Sequence, residues 1–303
     1  MEGDAAKRER HSENWFGDAR DHWWHRDFLA LVARRWDLGE MRHVLDVGCG
    51  IGHWGRALLP HLASTTTLSG IDREPDWVVE ATARARAHGL AGRVTYLQGT
   101  VEALPFEDAT FDLVTCQTVI MHLADPLLGL REMLRVLAPG GRILVAEPNN
   151  RATAMAVIDP ELSIEDQLGL LELELRGQRG KQRLGEGDNS IGERVPGLFA
   201  TLGLSDIQVL QNDKLGPFVP PYASDDEQAR IDNNRELVDR RLWIADEAGS
   251  RRYWLAGGGS EADFPQRWEL MMRAHRLRYE ALVAGTYASA GGALFYLVTG
   301  KKA

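Results

Sequence analysis

Little in this chain marks it for export, for a membrane or for nucleic acid. Its 303 residues include only two cysteines, Cys49 and Cys116, too few for a disulfide framework. No CxxC or Cys/His spacing points to a metal site, so none is expected. No apolar run approaches the ~20 residues that a bilayer span needs. Residues 1–13 are charged and lack the apolar centre of a signal peptide, so a cytoplasmic location with reduced thiols is expected. Basic side chains are also in deficit, 35 against 44 acidic ones, giving a formal charge of −9. A nucleic-acid binder normally carries a basic footprint, so neither nucleic acid nor membrane is expected as a partner. What remains is ordinary for a globular protein, with 44% hydrophobic and 26% charged residues. The length allows one enlarged domain, or a domain carrying a smaller cap, as a monomer or homodimer.

The most informative stretch present is Val44-Leu45-Asp46-Val47-Gly48-Cys49-Gly50-Ile51-Gly52. An apolar run ends in an acid, then in glycines at alternate positions, and a helix-like segment follows from His53. This reads as a first strand turning tightly into a first helix. Glycine permits the positive φ values and the close backbone approach that such a turn asks for. The spacing differs from the dinucleotide fingerprint, whose last two glycines are separated by two residues. The next acid that closes an apolar strand is Asp72, in Leu68-Ser69-Gly70-Ile71-Asp72. Further on stand Gly99-Thr100-Val101-Glu102-Ala103-Leu104-Pro105-Phe106 and Phe111-Asp112-Leu113-Val114-Thr115-Cys116. Met121-His122-Leu123-Ala124-Asp125-Pro126 and Leu134-Arg135-Val136-Leu137-Ala138-Pro139-Gly140-Gly141 complete the series.

In order and spacing these segments resemble the landmarks of the class I methyltransferases that use S-adenosylmethionine (SAM) and release S-adenosylhomocysteine. The resemblance covers roughly Arg42 to Pro148, with a weaker echo at the C-terminus. It implies a doubly wound, seven-stranded, mostly parallel α/β sheet with helical cap insertions. It implies a cofactor site too: Gly48, Cys49, Gly50 and Gly52 along the methionyl part, Asp46 toward the amino group and Asp72 on the ribose hydroxyls. Arg73 is placed along the adenine. The family usually carries an adenine-contacting acid where this chain has Thr100, which leaves Val101 and Glu102 to contribute. Gln117 and His122 line the sulfonium end.

Periodicity fills in the rest. A helix is expected over 18–36, with Trp24, Phe28, Leu31, Val32 and Trp36 on one face. From Arg42, short apolar strands alternate with helices, as parallel βαβ units do. Asp125-Pro126 reads as a capped helix start, and Ser163-x-x-Asp166 as a second, with Ile164, Leu168, Leu171 and Leu175 as its stripe. Gly177 to Gly192 reads as a loose connector. Two more amphipathic helices are expected, at 225–246 and 265–284, and a last strand near 292–299. The expected organisation is therefore a helical lid segment (1–40), a SAM-binding core (41–150), a helical insertion (151–192), a core helix and strand (193–216), a helical cap insertion (217–290) and a final core strand (291–303).

Methyl transfer asks little of the protein beyond aligning an acceptor and excluding water. An oxygen acceptor must also lose a proton. His22 and His122 are the candidate bases, since a histidine titrates near neutrality; cofactor contact or packing is the other reading of His122. Trp15, Trp23, Arg26, Glu147, Asn149 and His275 are the candidate substrate contacts. The aromatic N-terminal segment has two readings, a cation–π or stacking surface and plain core. The Asn/Asp-Pro-Pro-Tyr signature is absent after the fourth strand, which reads Cys116-Gln117-Thr118-Val119. The expected function is methyl transfer to an oxygen or nitrogen of a small-molecule acceptor. A peptide or protein side chain is the alternative acceptor. A nicotinamide-dependent oxidoreductase and a non-catalytic partner subunit are the readings outside the class.

Overall fold

A computed structural model describes residues 20–21, 23–157, 162–213 and 216–303. Seven strands form one sheet: β1 His43–Val47, β2 Thr67–Asp72, β3 Val94–Gln98, β4 Phe111–Gln117, β5 Leu137–Pro148, β6 Ser205–Gln211 and β9 Phe295–Lys301. Their order is β3-β2-β1-β4-β5-β9-β6. The first five are parallel, and β9 runs antiparallel between β5 and β6. Strands β1 and β4 are buried on both faces almost throughout, which is why they read as continuous apolar runs rather than alternating ones. The strand order reverses between β1 and β4, and open α/β sheets bind ligands at such a reversal. Register brings the C-terminal ends level: Val47 pairs with Ile71 and Cys116, Asp72 with Gln98, and Gln117 with Ala146.

Helices cover both faces. They are α1 Arg26–Arg35, α2 His53–Leu58, α3 Pro75–Ala87, α4 Pro126–Val136, α5 Asn150–Val157, α6 Ile164–Arg183, α7 Val195–Thr201, α8 Asp225–Asp239, α9 Glu247–Ala256 and α10 Phe264–Val283. The cap chemistry read from the sequence is present: the Asp125 side chain accepts from the backbone N–H of Leu127 and Leu128, with Pro126 opening α4. Ser163 likewise accepts from Asp166 N–H. One core cluster packs Trp24, Phe28, Val32 and Trp36 of the N-terminal segment against Trp54, Leu68 and Leu144. The other face joins Leu45, Val114, Leu130, Ile143 and Phe199.

The structure departs from the expected elements in four places. Among the described residues the first α-helix starts at Arg26, and the beginning of the helix expected from Asp18 lies outside them. The helix expected over 225–246 ends at Asp239, because Arg241 takes a left-handed φ of 49° and Asp246 caps a new helix, α9. Gly177 and Gly180 lie inside α6 rather than in a connector. The stripe of that helix also points the other way: Ile164, Leu168 and Leu175 are 64%, 61% and 51% exposed, while Leu170, Leu173, Gly177 and Gly180 face inward. A methyl group on Gly180 would collide with the Tyr253 carbonyl of α9, and one on Gly257 with the Arg176 carbonyl of α6. These glycines let two helix backbones touch. Finally, a two-stranded ribbon, β7 Gly216–Phe218 with β8 Ser289–Gly291, ties the two ends of the 217–290 segment together.

Candidate active site

The β1–α2 turn is built by glycines for reasons internal to the protein. Gly48, Gly50 and Gly52 have φ of 64°, 51° and 79°, a region that side chains with a Cβ avoid. A Cβ on Gly48 would strike Val119, and one on Gly52 the Tyr96 hydroxyl. Cys49 is anchored through its backbone N–H to Ile71 O, at 2.9 Å, and its side chain is buried. Asp72 closes the turn from the neighbouring strand. Its Oδ2 accepts from Gly50 N–H at 2.8 Å and its Oδ1 from Glu74 N–H at 3.0 Å.

Asp46 lies beneath this turn, 1% exposed. Its Oδ2 accepts from Gly55 N–H of α2 at 3.0 Å, while its Oδ1 has no partner. Burial, more than any other cause, pushes its pKa up to about 8, and the Asp72 charge adds to the effect. Burial raises Asp72 as well. Two buried acids therefore flank one loop, and among the described residues neither is paired in a salt bridge, although Arg56 and Arg73 favour their charged forms. Such a pair favours a ligand that brings positive charge and opposes one that brings a pyrophosphate.

Gln117, at the end of β4, accepts from the Trp24 indole N–H at 3.0 Å, and its own Nε2 is buried without a partner. Trp24 is core: its ring packs against Trp54 and Phe295 at 5.3 and 5.8 Å. The N-terminal segment is thus pinned to the strand end, and its aromatics divide between core (Trp24) and cavity wall (Trp23).

That cavity, of about 390 Å³, opens above the ends of β4 and β5. Thr118, Met121, His122 and Pro148 form its sheet side, with Arg20, Trp23 and Phe295 beside them. Insertion residues complete it: Lys181 of α6, Asn189 of the following loop, Asn233 and Glu236 of α8, Trp243 from the α8–α9 turn, and Tyr253 of α9. The Arg20 guanidinium packs over Trp23, 5.2 Å from the ring centroid, and approaches His53 Nε2 at 3.5 Å.

Several residues singled out in the sequence sit elsewhere. Glu147, expected at the edge of the pocket, is fully buried. Its Oε1 accepts from Val119 N–H and Ile120 N–H at 2.8 and 2.7 Å, so it shapes the turn that carries His122. Burial pushes its pKa up to about 8. Asn149 is buried too, donating to Glu193 and accepting from Ala152 N–H. His275 does not line the cavity; burial lowers its pKa to about 4, and it hydrogen-bonds the Leu242 backbone. Arg26 is exposed and off the cavity. Arg73 is exposed beside Glu74, at 3.3 Å. Thr100 and Glu102 are exposed and Val101 is buried at the far end of the strand edge. Trp15 and His22 lie outside the described residues. Among the described residues one trio of potential metal ligands converges, His25, Asp27 and Asp213, at the surface, where His25 and Asp213 pair at 3.3 Å.

Sequence reasoning missed Arg20, Lys181, Asn189, Asn233 and Tyr253. The signal for Lys181 was available: Leu170, Leu173, Gly177 and Gly180 continue one helical spacing, with glycines standing where leucines would prevent contact.

Against known proteins, residues 39–179 match the family described as a methyltransferase domain. That match spans the sheet core, and the sheet has the class I methyltransferase fold. The uncharacterized methyltransferase YcgJ of Bacillus subtilis is 34% identical over 119 residues, 39% of this chain and 46% of that protein. The demethylmenaquinone methyltransferase of Lactiplantibacillus plantarum is 34% identical over 123 residues, 41% of this chain and 52% of that protein. The chain spans about half the length of the curated relatives it matches. Among solved structures, YcgJ aligns with a TM-score of 0.52 at 22% identity, covering 92% of this chain and 99% of that one. The [4+2]-cyclase SpnF aligns with a TM-score of 0.52 at 21% identity, covering 91% and 81%. The family match ends at residue 179, within α6, and the structural likeness extends the fold alone. Among the described residues no helix is long and apolar enough to cross a membrane.

Proposed function

We propose that the protein is a SAM-dependent methyltransferase that moves a methyl group to an oxygen or nitrogen of a small-molecule acceptor held in the 390 Å³ cavity. The observation that carries this reading is the unpartnered Asp46 carboxylate oxygen beneath the glycine turn, level with the strand ends that floor the cavity. SAM, when bound, supplies the electrophilic methyl on a sulfonium and brings two positive charges to a loop flanked by two buried acids.

The chain's own residues then bind and orient. The backbone of Gly48, Cys49, Gly50 and Gly52 follows the methionyl part, Asp46 Oδ1 takes the amino group, and Asp72 takes the ribose hydroxyls with its remaining lone pairs. The edge at Arg73, Thr100, Val101 and Glu102 faces the adenine. Gln117 Nε2, also without a partner, and His122 close the reactive end. Trp23, Phe295 and the insertion helices exclude water. For an oxygen acceptor, His122 on the cavity wall or His22 in the lid segment accepts the proton.

The test is mass spectrometry of a metabolite extract incubated with the protein and isotopically labelled SAM, paired with calorimetry of SAM against NAD. Label is expected in the small-molecule fraction and binding only for SAM. Label confined to peptides would move the acceptor to a side chain. Heat with NAD and none with SAM would replace the reading by hydride transfer. Tight SAM binding with no label in any fraction would leave a non-catalytic partner subunit.

A further inference from the structure

Lys181 faces the cavity with no carboxylate hydrogen-bonded to it among the described residues, although Glu186, Asp188 and Glu147 lie close enough to favour its charge. It lies on α6 at the crossing with α9, 7% exposed, and lines the cavity. An ammonium has three donors. One goes to the Asn189 side-chain oxygen, a neutral acceptor, and no second protein acceptor stands within bonding reach among the described residues.

The carboxylates around it are committed elsewhere. Asp188 accepts from Ser190 N–H and pairs with Arg194 at 3.0 Å. Glu186 binds Arg252 and the Tyr253 hydroxyl, each at 2.7 Å. Glu236, on the cavity wall, is bonded to Arg240 at 2.6 Å. Glu147 gives one oxygen to two backbone amides, its other oxygen is buried without a hydrogen-bond partner, and its raised pKa keeps it protonated near neutrality. Burial brings Lys181 down to about 8, so it is still chiefly an ammonium at pH 7. A buried cation without a bonded counter-charge is costly. That cost falls when a ligand supplies the counter-charge.

The remaining walls show what else such a ligand must be. Trp23, Trp243, Tyr253 and Phe295 present aromatic surface, with Met121 and Leu242 between them. Flat apolar molecules fit such walls, and a few polar groups then fix the orientation.

We propose that Lys181 selects the acceptor: its ammonium receives an ionised acid group on a flat, largely apolar small molecule, and so turns the rest of that molecule toward the end of β4. The inference rests on reading the cavity as the acceptor site, but not on the identity of the cofactor. Lys181 is a positioning residue here, since the group it holds is not the atom methylated.

The experiment is calorimetry of the whole protein with 2-naphthoate and with 2-naphthamide, with and without S-adenosylhomocysteine, in the wild type and in Lys181→Met. The acid is expected to bind at least tenfold more tightly than the amide. Lys181→Met is expected to abolish that preference while leaving S-adenosylhomocysteine affinity unchanged. Equal binding of acid and amide, no binding of the acid, or a preference that survives Lys181→Met would overturn the proposal. Should the variant fail to fold, the wild-type comparison of acid and amide still decides. In the wild type, absence of S-adenosylhomocysteine binding beside an intact acid preference would instead sink the cofactor reading and leave this one standing.

Discussion

The sheet and its cap are held by different physics. In the core, β1, β4 and β5 bury nearly every side chain, and Asp46 and Asp72 are buried acids beside the turn. In the cap, α8 has no fully buried residue. Its neighbours lean on ion pairs instead, Arg267 with Glu172, Arg273 with Asp166 and Arg241 with Glu269. A small aromatic cluster of Trp254, Phe264 and Trp268 adds apolar burial. The lesson is a division of labour. Hydrophobic burial fixes the sheet and its glycine turn, whereas close backbone contacts and surface charge fix the helical cap.

Four experiments would break or sharpen that contrast. The largest expected effect is from Gly180→Ala, which drives a methyl into the Tyr253 carbonyl and should destabilise the protein by up to ~3 kcal/mol. Thermal unfolding checks this, and S-adenosylhomocysteine binding should persist at low temperature; joint loss of both would show that cap and cradle fold as one unit. Asp72→Ala comes next, with S-adenosylhomocysteine binding weakened by ~2 kcal/mol or more, the range for hydrogen bonds to a charged group. Its melting temperature should fall too, because Gly50 N–H and Glu74 N–H lose their acceptor. An unchanged dissociation constant would remove Asp72 from the ribose.

Asp46→Asn should act in opposite directions on stability and binding. The folded state holds the Asp46 proton up to about pH 8, against 3.8 for an ordinary aspartate. It therefore binds more protons than the unfolded chain across that window, and stability is lost as pH rises through it. Asparagine removes that loss, so the variant should melt higher than wild type at pH 8 while binding S-adenosylhomocysteine about tenfold more weakly, ~1.4 kcal/mol. A variant that melts lower and binds equally would mean that Asp46 is purely structural. The smallest effect is from salt: 1 M NaCl should weaken the exposed pairs of the cap by ~1 kcal/mol or less in total stability, with cofactor binding hardly changed. Protection of α8 and α10 amides from exchange is the measurement that would show it.

How much of this was legible in the sequence follows the same division. The β1 turn, the acid at Asp72 and the Asp125-Pro126 cap are short patterns visible in the sequence, and the structure contains each of them. The cap was harder. The leucines of α6 suggested one buried face, but Ile164, Leu168 and Leu175 point outward and the glycines point inward, because the helix meets α9 backbone to backbone. Glycine ordinarily weakens a helix, so a sequence reading placed a loop there and passed over Lys181. Glu147 and Asn149 were read as pocket groups from their position after β5. Their oxygens are instead engaged by backbone N–H groups, contacts set by tertiary structure.

The clasp formed by β7 and β8 has a consequence for how such an enzyme changes over time. Everything from Val219 to Ala288 leaves and re-enters through one doorway, Gly216 facing Gly291 and Phe218 facing Ser289. A stretch bounded in this way behaves as a cassette: it can be swapped or redrawn between related chains without disturbing a single strand of the main sheet. Under the function proposed above, acceptor preference would drift quickly while the sheet stays put.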